Sequence, residues 1–229
     1  MKKLEIDLVT VNTVNPEVAL KAMDYSCQEI EFNNSYIFTN KPIKTDNHKV
    51  IYVENINSLD EYNDFVLNFG NFKFKSEYVL VMQDDGFIVN PNKWNDDFFN
   101  FDYVGAPWPK PVNLDTLSDK QYLTENAKLK NRVGNGGFSL RSKKFLNYSS
   151  KFNSCNGWPE DLFLTALNYE IAIQNNIRFP SAKLAYTFST ETPLYGKNKD
   201  KFLDYRYLTK IKSFGFHGKF HSKILKLID

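Results

Sequence analysis

Four short segments hold the residue types that chemistry needs. The first is Gln83-Asp84-Asp85-Gly86, two carboxylates and a glycine at the end of the apolar run Tyr78-Val79-Leu80-Val81-Met82. A short, continuous apolar run reads as a strand buried on both faces, as in a parallel sheet. Open α/β sheets bind ligands beyond the carboxyl ends of their strands, and paired acids there suit a hard cation holding a phosphate. A polar turn with Gly86 at positive φ is the plainer alternative. The second segment, Gly134-Asn135-Gly136-Gly137, implies positive φ or a ligand lying close to backbone. Its N–H groups could meet a sugar hydroxyl or a phosphate, and a tight turn before a core strand explains it equally well. The third, Gly157-Trp158-Pro159-Glu160-Asp161, places two acids in the first turn of a helix. There they complement the macrodipole, or one of them acts as a general base. The fourth, Phe214-Gly215-Phe216-His217-Gly218, frees a late histidine between glycines to complete a metal site begun at Asp85.

The elements that must position these groups follow from periodicity and caps. Leu4 to Val11 alternates and reads as a first strand. Asn15-Pro16 opens a helix with Asn15 as N-cap, and Ala19, Leu20, Met23 and Cys27 form its buried stripe. Ser35–Thr39 and Lys49–Val53 read as strands two and three. Ser58-Leu59-Asp60-Glu61 is a capping box for a helix ending near Gly70. Glu160 to Asn175 reads as a helix with Leu162, Ala166, Tyr169 and Ile173 on one stripe. Asn113 to Arg132 is polar and charged, a loop that could cover a cleft. Strand and helix alternate, so the expected fold is an α/β domain with a mostly parallel central sheet flanked by helices. Residues 1–229 read as one domain, with a nucleotide-binding half (1–86), an acceptor and catalytic half (87–218) and a C-terminal helix (219–229).

Composition narrows the class. The chain has 229 residues, 42% hydrophobic, with a formal net charge of +2. That supports a sizeable core and gives no reason to expect nucleic acid. Aromatics reach 16%, with 20 Phe and 13 Tyr. An AT-rich genome accounts for most of that excess, and a cleft for flat rings for the remainder. Two distant cysteines form no CxxC, so neither a disulfide framework nor a zinc site is expected. Glu5 and Asp7 interrupt any signal-peptide core and no run is long enough to span a bilayer, so the cytosol is expected. The basic, apolar C-terminus could touch the inner face of a membrane peripherally, although packing on its own domain is the more ordinary reading. Neither GxGxxG nor GxxxxGK[ST] occurs, so a bound phosphate would be held through a metal.

The order of the motifs is more specific than any one of them. Gln83-x-Asp85-Gly86-Phe87 is followed by Trp94, then Asp102-Tyr103-Val104-Gly105-Ala106-Pro107-Trp108. Next come Gly134-Asn135-Gly136-Gly137-Phe138-Ser139-Leu140-Arg141, then Pro159-Glu160-Asp161, and last Phe214-Gly215-Phe216-His217-Gly218. From about Leu8 to Gly218 this resembles the DUF5672 family, a bacterial and viral group regarded as glycosyltransferases. The same order is similar to the GT-A plan of nucleotide-diphospho-sugar transferases.

The resemblance implies a role for each part. Val11, Asn12 and Thr13 would hold the nucleotide with Gln83 and Asp84. Asp85 and His217 would hold Mn²⁺ or Mg²⁺ on the diphosphate, with Gln83 standing where the plan usually has a first Asp. Asp161 would be the base, with Glu160 orienting the acceptor or capping its helix. Trp108, Asn135, Gly136, Gly137 and Trp158 would meet sugar. The implied partners are a nucleotide-sugar donor and a glycan or glycolipid acceptor, and one base with in-line attack implies inversion. Two other readings remain. Nucleotidyl transfer also uses paired carboxylates and a metal, but no basic loop lies between Val9 and Glu17. An inactive carbohydrate-binding module on the same fold is kept open by Gln83.

Overall fold

The computed structural model describes residues 1–54, 56–108, 133–191, 211–219 and 225–228. The expected loop over Asn113–Arg132 lies outside the described residues, as does most of the expected C-terminal helix.

Strand β1 (Lys2–Val11) sits near the middle of a six-stranded sheet with order β3-β2-β1-β4-β6-β5. It pairs in parallel with β2 (Ile30–Thr39) and β4 (Tyr78–Met82), and β2 pairs in parallel with β3 (Lys49–Tyr52). Strand β6 (Phe138–Ser142) runs antiparallel to β4 and to the short β5 (Tyr103–Val104). The sheet is therefore mostly parallel with an antiparallel edge, the α/β plan expected from the alternation of elements.

Both faces of this sheet are covered, which is why its strands read as apolar runs. Leu4, Ile6, Leu8, Ile37, Leu80, Met82, Phe138 and Leu140 point into one core, beneath α1 (Pro16–Ser26). Their neighbours Val9, Val11, Tyr36, Phe38, Val79 and Val81 point into another, with Val66 of α2 (Leu59–Leu67). The side-chain period of two thus divides each strand between two hydrophobic layers. A third cluster gathers Tyr103, Phe145, Tyr148, Trp158, Phe163 and Leu164 around α3 (Lys143–Ser149).

Local signals set the ends of the helices. The Ser58 hydroxyl accepts the Glu61 N–H, and the Glu61 carboxylate accepts the Ser58 N–H, so the capping box forms as expected. At α1, Asn15 makes no side-chain cap. The Asn12 side-chain oxygen Oδ1 instead accepts the N–H groups of Val14 and Asn15. The segment from Glu160 is not one regular helix. Helix α4 (Glu160–Leu162) passes into a π-helical turn at Phe163–Leu167 before α5 (Tyr169–Gln174). The wider turn breaks the 3.6-residue phase. It buries Phe163, Leu164, Thr165 and Ala166 together and leaves Ile173 41% exposed, so the expected stripe through Leu162 and Ile173 is not the buried one.

Chain order places the ligand end. After β3 the chain crosses back to lay β4 on the other side of β1, making a switch point between the carboxyl ends of β1 and β4. Because β6 is antiparallel, it enters at that same end, Phe138 opposite Met82. The last described contribution is β8 (Gly215–Phe216), paired with β7 (Ser189–Thr190) after α6 (Ala182–Phe188). Phe214 and Phe216 anchor β8 among Phe87, Trp94, Phe138 and Phe188, with ring centroids 4.8–6.1 Å apart. The aromatic excess is thus largely a core, and here it holds the segment that carries His217.

Candidate active site

At the end of β4 the Gln83 N–H donates to the Gly137 carbonyl (2.9 Å), which joins the acidic turn to the glycine turn. Asp85 is 8% exposed, and its carboxylate Oδ1 lies 3.2 Å from His217 Nε2. The same ring nitrogen is 3.0 Å from Gln83 Oε1, while Gln83 Nε2 donates to the Tyr62 hydroxyl (2.8 Å). On the far side of the imidazole, Nδ1 faces Glu191 Oε1 at 3.5 Å, an ion-pair contact rather than a short hydrogen bond. The Gly218 N–H donates to the Asp85 carbonyl and the His217 N–H to the Thr190 carbonyl, so both backbones are tied to the core.

Charge follows this geometry. Burial alone would push His217 down, but the hydrogen bond to Asp85 and the negative charges of Asp85 and Glu191 lift it to about 10. Burial likewise pushes Asp85 up, but the hydrogen bond and charge of His217, a backbone donor and Lys219 together hold it below the usual carboxylate range. Asp84 is raised by burial and by the charge of Asp85, against the opposing pull of Lys219 and a hydrogen bond from Asn12.

The second part of the site lies across the glycine turn. The Gly136 N–H donates to Asp161 Oδ2 (3.0 Å) and the Leu162 N–H to Asp161 Oδ1 (2.7 Å). Even so, burial and the neighbouring Glu160 raise Asp161 to about 6. Glu160 itself is buried, and Arg141 holds it through both oxygens (2.6 and 3.3 Å). Its N–H donates to the side-chain carbonyl of Asn63 on α2 (3.2 Å). The two adjacent acids are therefore unlike: one is locked in an ion pair, the other has a pKa suited to accepting a proton near neutrality.

The remaining expected residues fall into three groups. Thr13 donates to the Ile56 carbonyl (2.9 Å) and Val11 packs in the core, so with Asn12 these residues shape the end of β1. Trp108 is partly exposed, with its ring edge against Gly134, where a Cβ would meet it at 2.2 Å. Asn135 is buried, and its side-chain oxygen has no hydrogen-bond partner. Trp158 is 7% exposed inside the third core cluster, so it has no open face for a sugar ring. Sequence reading did not single out Tyr62, Arg141 or Glu191. All three act through side chains distant in sequence, and only Arg141 lay within a motif that had been noticed. Among the described residues no group of three or more His, Cys, Asp or Glu side chains is disposed to hold a metal ion. No described helix is long and apolar enough to cross a membrane.

Comparison with known proteins gives the family and several solved structures that are similar. The chain belongs to the family described as protein of unknown function DUF5672, which it matches over residues 47–217. Strands β1 and β2 and helix α1 precede that match, whereas the sequence resemblance was expected to begin near Leu8. No curated protein matches the chain. Among solved structures, mouse xyloside xylosyltransferase 1 is 11% identical with a TM-score of 0.48, over 94% of this chain and 98% of that one. A glycosyltransferase involved in glycosylation of the major capsid of PBCV-1 is 12% identical with a TM-score of 0.46, over 98% of both chains. The galactosyltransferase LgtC, in complex with donor and acceptor sugar analogues, is 13% identical with a TM-score of 0.45, over 93% of this chain and 86% of that one.

Proposed function

We propose that the protein is a GT-A type glycosyltransferase. It moves a sugar from a nucleotide-sugar donor to a hydroxyl of a glycan or glycolipid acceptor, with a divalent ion and with inversion. The observation that carries this reading is the pair of groups on either side of the Gly136-Gly137 turn. On one side Asp85, Gln83 and His217 converge at the carboxyl end of β4. On the other, Asp161 is held ready to accept a proton.

The donor set fits Mn²⁺ or Mg²⁺. Asp85 Oδ1 and Gln83 Oε1 both lie within 3.2 Å of His217 Nε2, two hard oxygens beside a ring nitrogen that an ion would bind by displacing the proton His217 otherwise carries. Glu191 on the opposite nitrogen is the outer carboxylate that commonly orients a ligating histidine. Such an ion supplies Lewis-acid neutralisation of a diphosphate leaving group.

The chain's own residues supply the rest. Asp161 takes the proton as the acceptor O–H bond breaks and its oxygen bonds the anomeric carbon. The bond from that carbon to phosphate breaks, and its electron pair leaves with the diphosphate. Asn12 and Asp84 line the nucleotide side, and Trp108 and Asn135 the sugar side. The glycines at 136 and 137, expected to meet sugar, instead make room for the chain's own groups: a Cβ at 136 would meet Asp161, Arg141 and Glu160, and one at 137 the His217 ring.

Thermal shift with a panel of nucleotides and nucleotide-sugars, with and without Mn²⁺, tests the reading, because a ligand of the native state raises apparent stability by mass action. A metal-dependent shift with one nucleotide diphosphate that vanishes in Asp85→Ala supports it. No shift with any nucleotide overturns it.

A further inference from the structure

We propose that Arg141 is a positioning residue for Asp161: one guanidinium clamps the glycine turn and the start of α4 together, so the two backbone donors that aim the Asp161 carboxylate move as one piece. The proposal deepens the transferase reading and rests on Asp161 being its base.

Arg141 is 1% exposed, one of the largest fully buried side chains. A guanidinium carries five N–H donors in a rigid fork and cannot shed its charge, so burial requires partners. Among the described residues, its hydrogen-bond partners belong to the turn, the helix start or β6. Nη1 and Nη2 donate to the two oxygens of Glu160, at 2.6 and 3.3 Å. Nη2 also reaches the Gly136 carbonyl at 3.5 Å, and Nε donates to the Ser139 hydroxyl (3.0 Å). The Ser139 hydroxyl donates in turn to that same Gly136 carbonyl (3.0 Å). The Tyr103 ring lies 5.4 Å from the guanidinium carbon, and its hydroxyl donates to the Gly134 carbonyl (2.7 Å).

The consequence falls on Asp161. Its Oδ2 is held by the Gly136 N–H from the turn, and its Oδ1 by the Leu162 N–H from α4. A Cβ on Gly136 would meet Asp161, Arg141 and Glu160 at 3.0–3.2 Å, so these three groups surround that one residue. Without the fork, Gly136 would still be tied to the helix start through its bond to Asp161, but Glu160 would no longer brace that turn. A bare charge at position 141 would not substitute, because the clamp depends on planar, two-oxygen geometry.

Asp161 also feels Glu160 and Glu191, and it in turn bears on the phenols of Tyr62 and Tyr103. Its titration can be read without substrate, from the carboxylate carbon of labelled Asp161 and from the Gly136 amide, which should shift together. Arg141→Lys keeps the charge and loses the fork. The expected result is a folded protein whose Gly136 amide no longer follows the Asp161 titration and exchanges at least tenfold faster. In the same variant kcat should fall more than tenfold while donor KM changes less than threefold. If Arg141→Lys does not fold, the pair Arg141→Met with Glu160→Gln leaves no lone buried charge and should show the same uncoupling. A folded variant of either kind with wild-type coupling between Gly136 and Asp161 overturns the proposal. The amide readout separates it from the transferase reading: uncoupling in a protein that transfers no sugar sustains the clamp and sinks the transferase.

Discussion

A side chain at Gly137 would stand inside the imidazole of His217: a Cβ there would lie 2.0 Å from Nε2 and 2.3 Å from Cδ2. The glycine turn and the late histidine are therefore fitted to each other, although one opens β6 and the other follows β8. The contact leaves the ring against bare backbone, where Asp85 and Gln83 can both reach Nε2.

Gly137→Ala should therefore displace the ring. The clash involves a side chain held on both nitrogens, so relief needs movement of His217 or of the turn. A loss of about 1–3 kcal/mol is expected, the usual penalty for overpacking. Urea unfolding reads the stability. Mn²⁺-dependent nucleotide binding, followed by thermal shift, should be lost even where the protein remains folded. A fully stable Gly137→Ala protein with intact metal-dependent binding would show that His217 need not sit where it does.

The acid pair predicts a pH profile. Asp161, at about 6, must be ionised to accept a proton, so the base-dependent limb of kcat should rise with pH and level off above that value. The sign for stability is opposite. Its folded pKa is raised above the unfolded value near 3.9, so its contribution is fully present below that value and is lost as pH rises through about 6. Asp161→Asn should abolish transfer, preserve donor binding, and stabilise the protein at pH 8 by roughly 1 kcal/mol. That is less than the full linkage effect, because one of the two acceptor oxygens is lost. Unfolding curves at pH 5 and pH 8 check it: a variant equally destabilised at both would refute the assignment.

How far the sequence spoke depended on the range of the interaction. A run of residues announced β4 and its terminal acids, and a four-residue pattern announced the Ser58–Glu61 box. Those signals are local, and the structure holds them as read. The turn at Gly134–Gly137 was legible as glycine, but its fit to His217 was not. Gln83 and His217 stand 134 residues apart, and only topology brings them to one hydrogen bond. Arg141 and Glu160 were hidden for another reason. Charged residues are rarely buried without a partner, so each alone reads as surface or as a helix cap. The π-helical turn at Phe163–Leu167 was invisible because one extra residue per turn changes phase without changing composition.

Asp7 offers a test of the fold away from the site. It is fully buried in β1, and its carboxylate accepts the Lys75 and Ser76 N–H groups, the Ser76 hydroxyl and the Asn34 amide at 2.8–3.1 Å. These bonds fix the approach to β4 and hence the register that delivers Gln83 and Asp85. Asp7→Ala leaves four donors without an acceptor, and a loss of about 3–5 kcal/mol is expected from removing one side of a buried polar network. Urea denaturation measures it, and a loss under about 1 kcal/mol would mean that water or a shifted loop replaces the carboxylate.

Gln83 decides how strongly an ion is held. Its amide oxygen faces His217 Nε2 and its amide nitrogen donates to Tyr62, so the residue is oriented from both ends. Gln83→Glu keeps the length and replaces a neutral donor by a charged one. The Tyr62 hydroxyl can then reverse and donate to the new carboxylate, so the packing need not change. A second carboxylate beside Asp85 should tighten Mn²⁺ by about tenfold or more, since hard cations follow ligand charge. The same substitution should lower stability without metal, because two buried carboxylates would then share one histidine. Isothermal titration with Mn²⁺ and thermal unfolding in chelator measure the two halves separately. Tighter metal binding together with lower metal-free stability is the expected pair. A variant that gains neither would place the ion away from Gln83, Asp85 and His217.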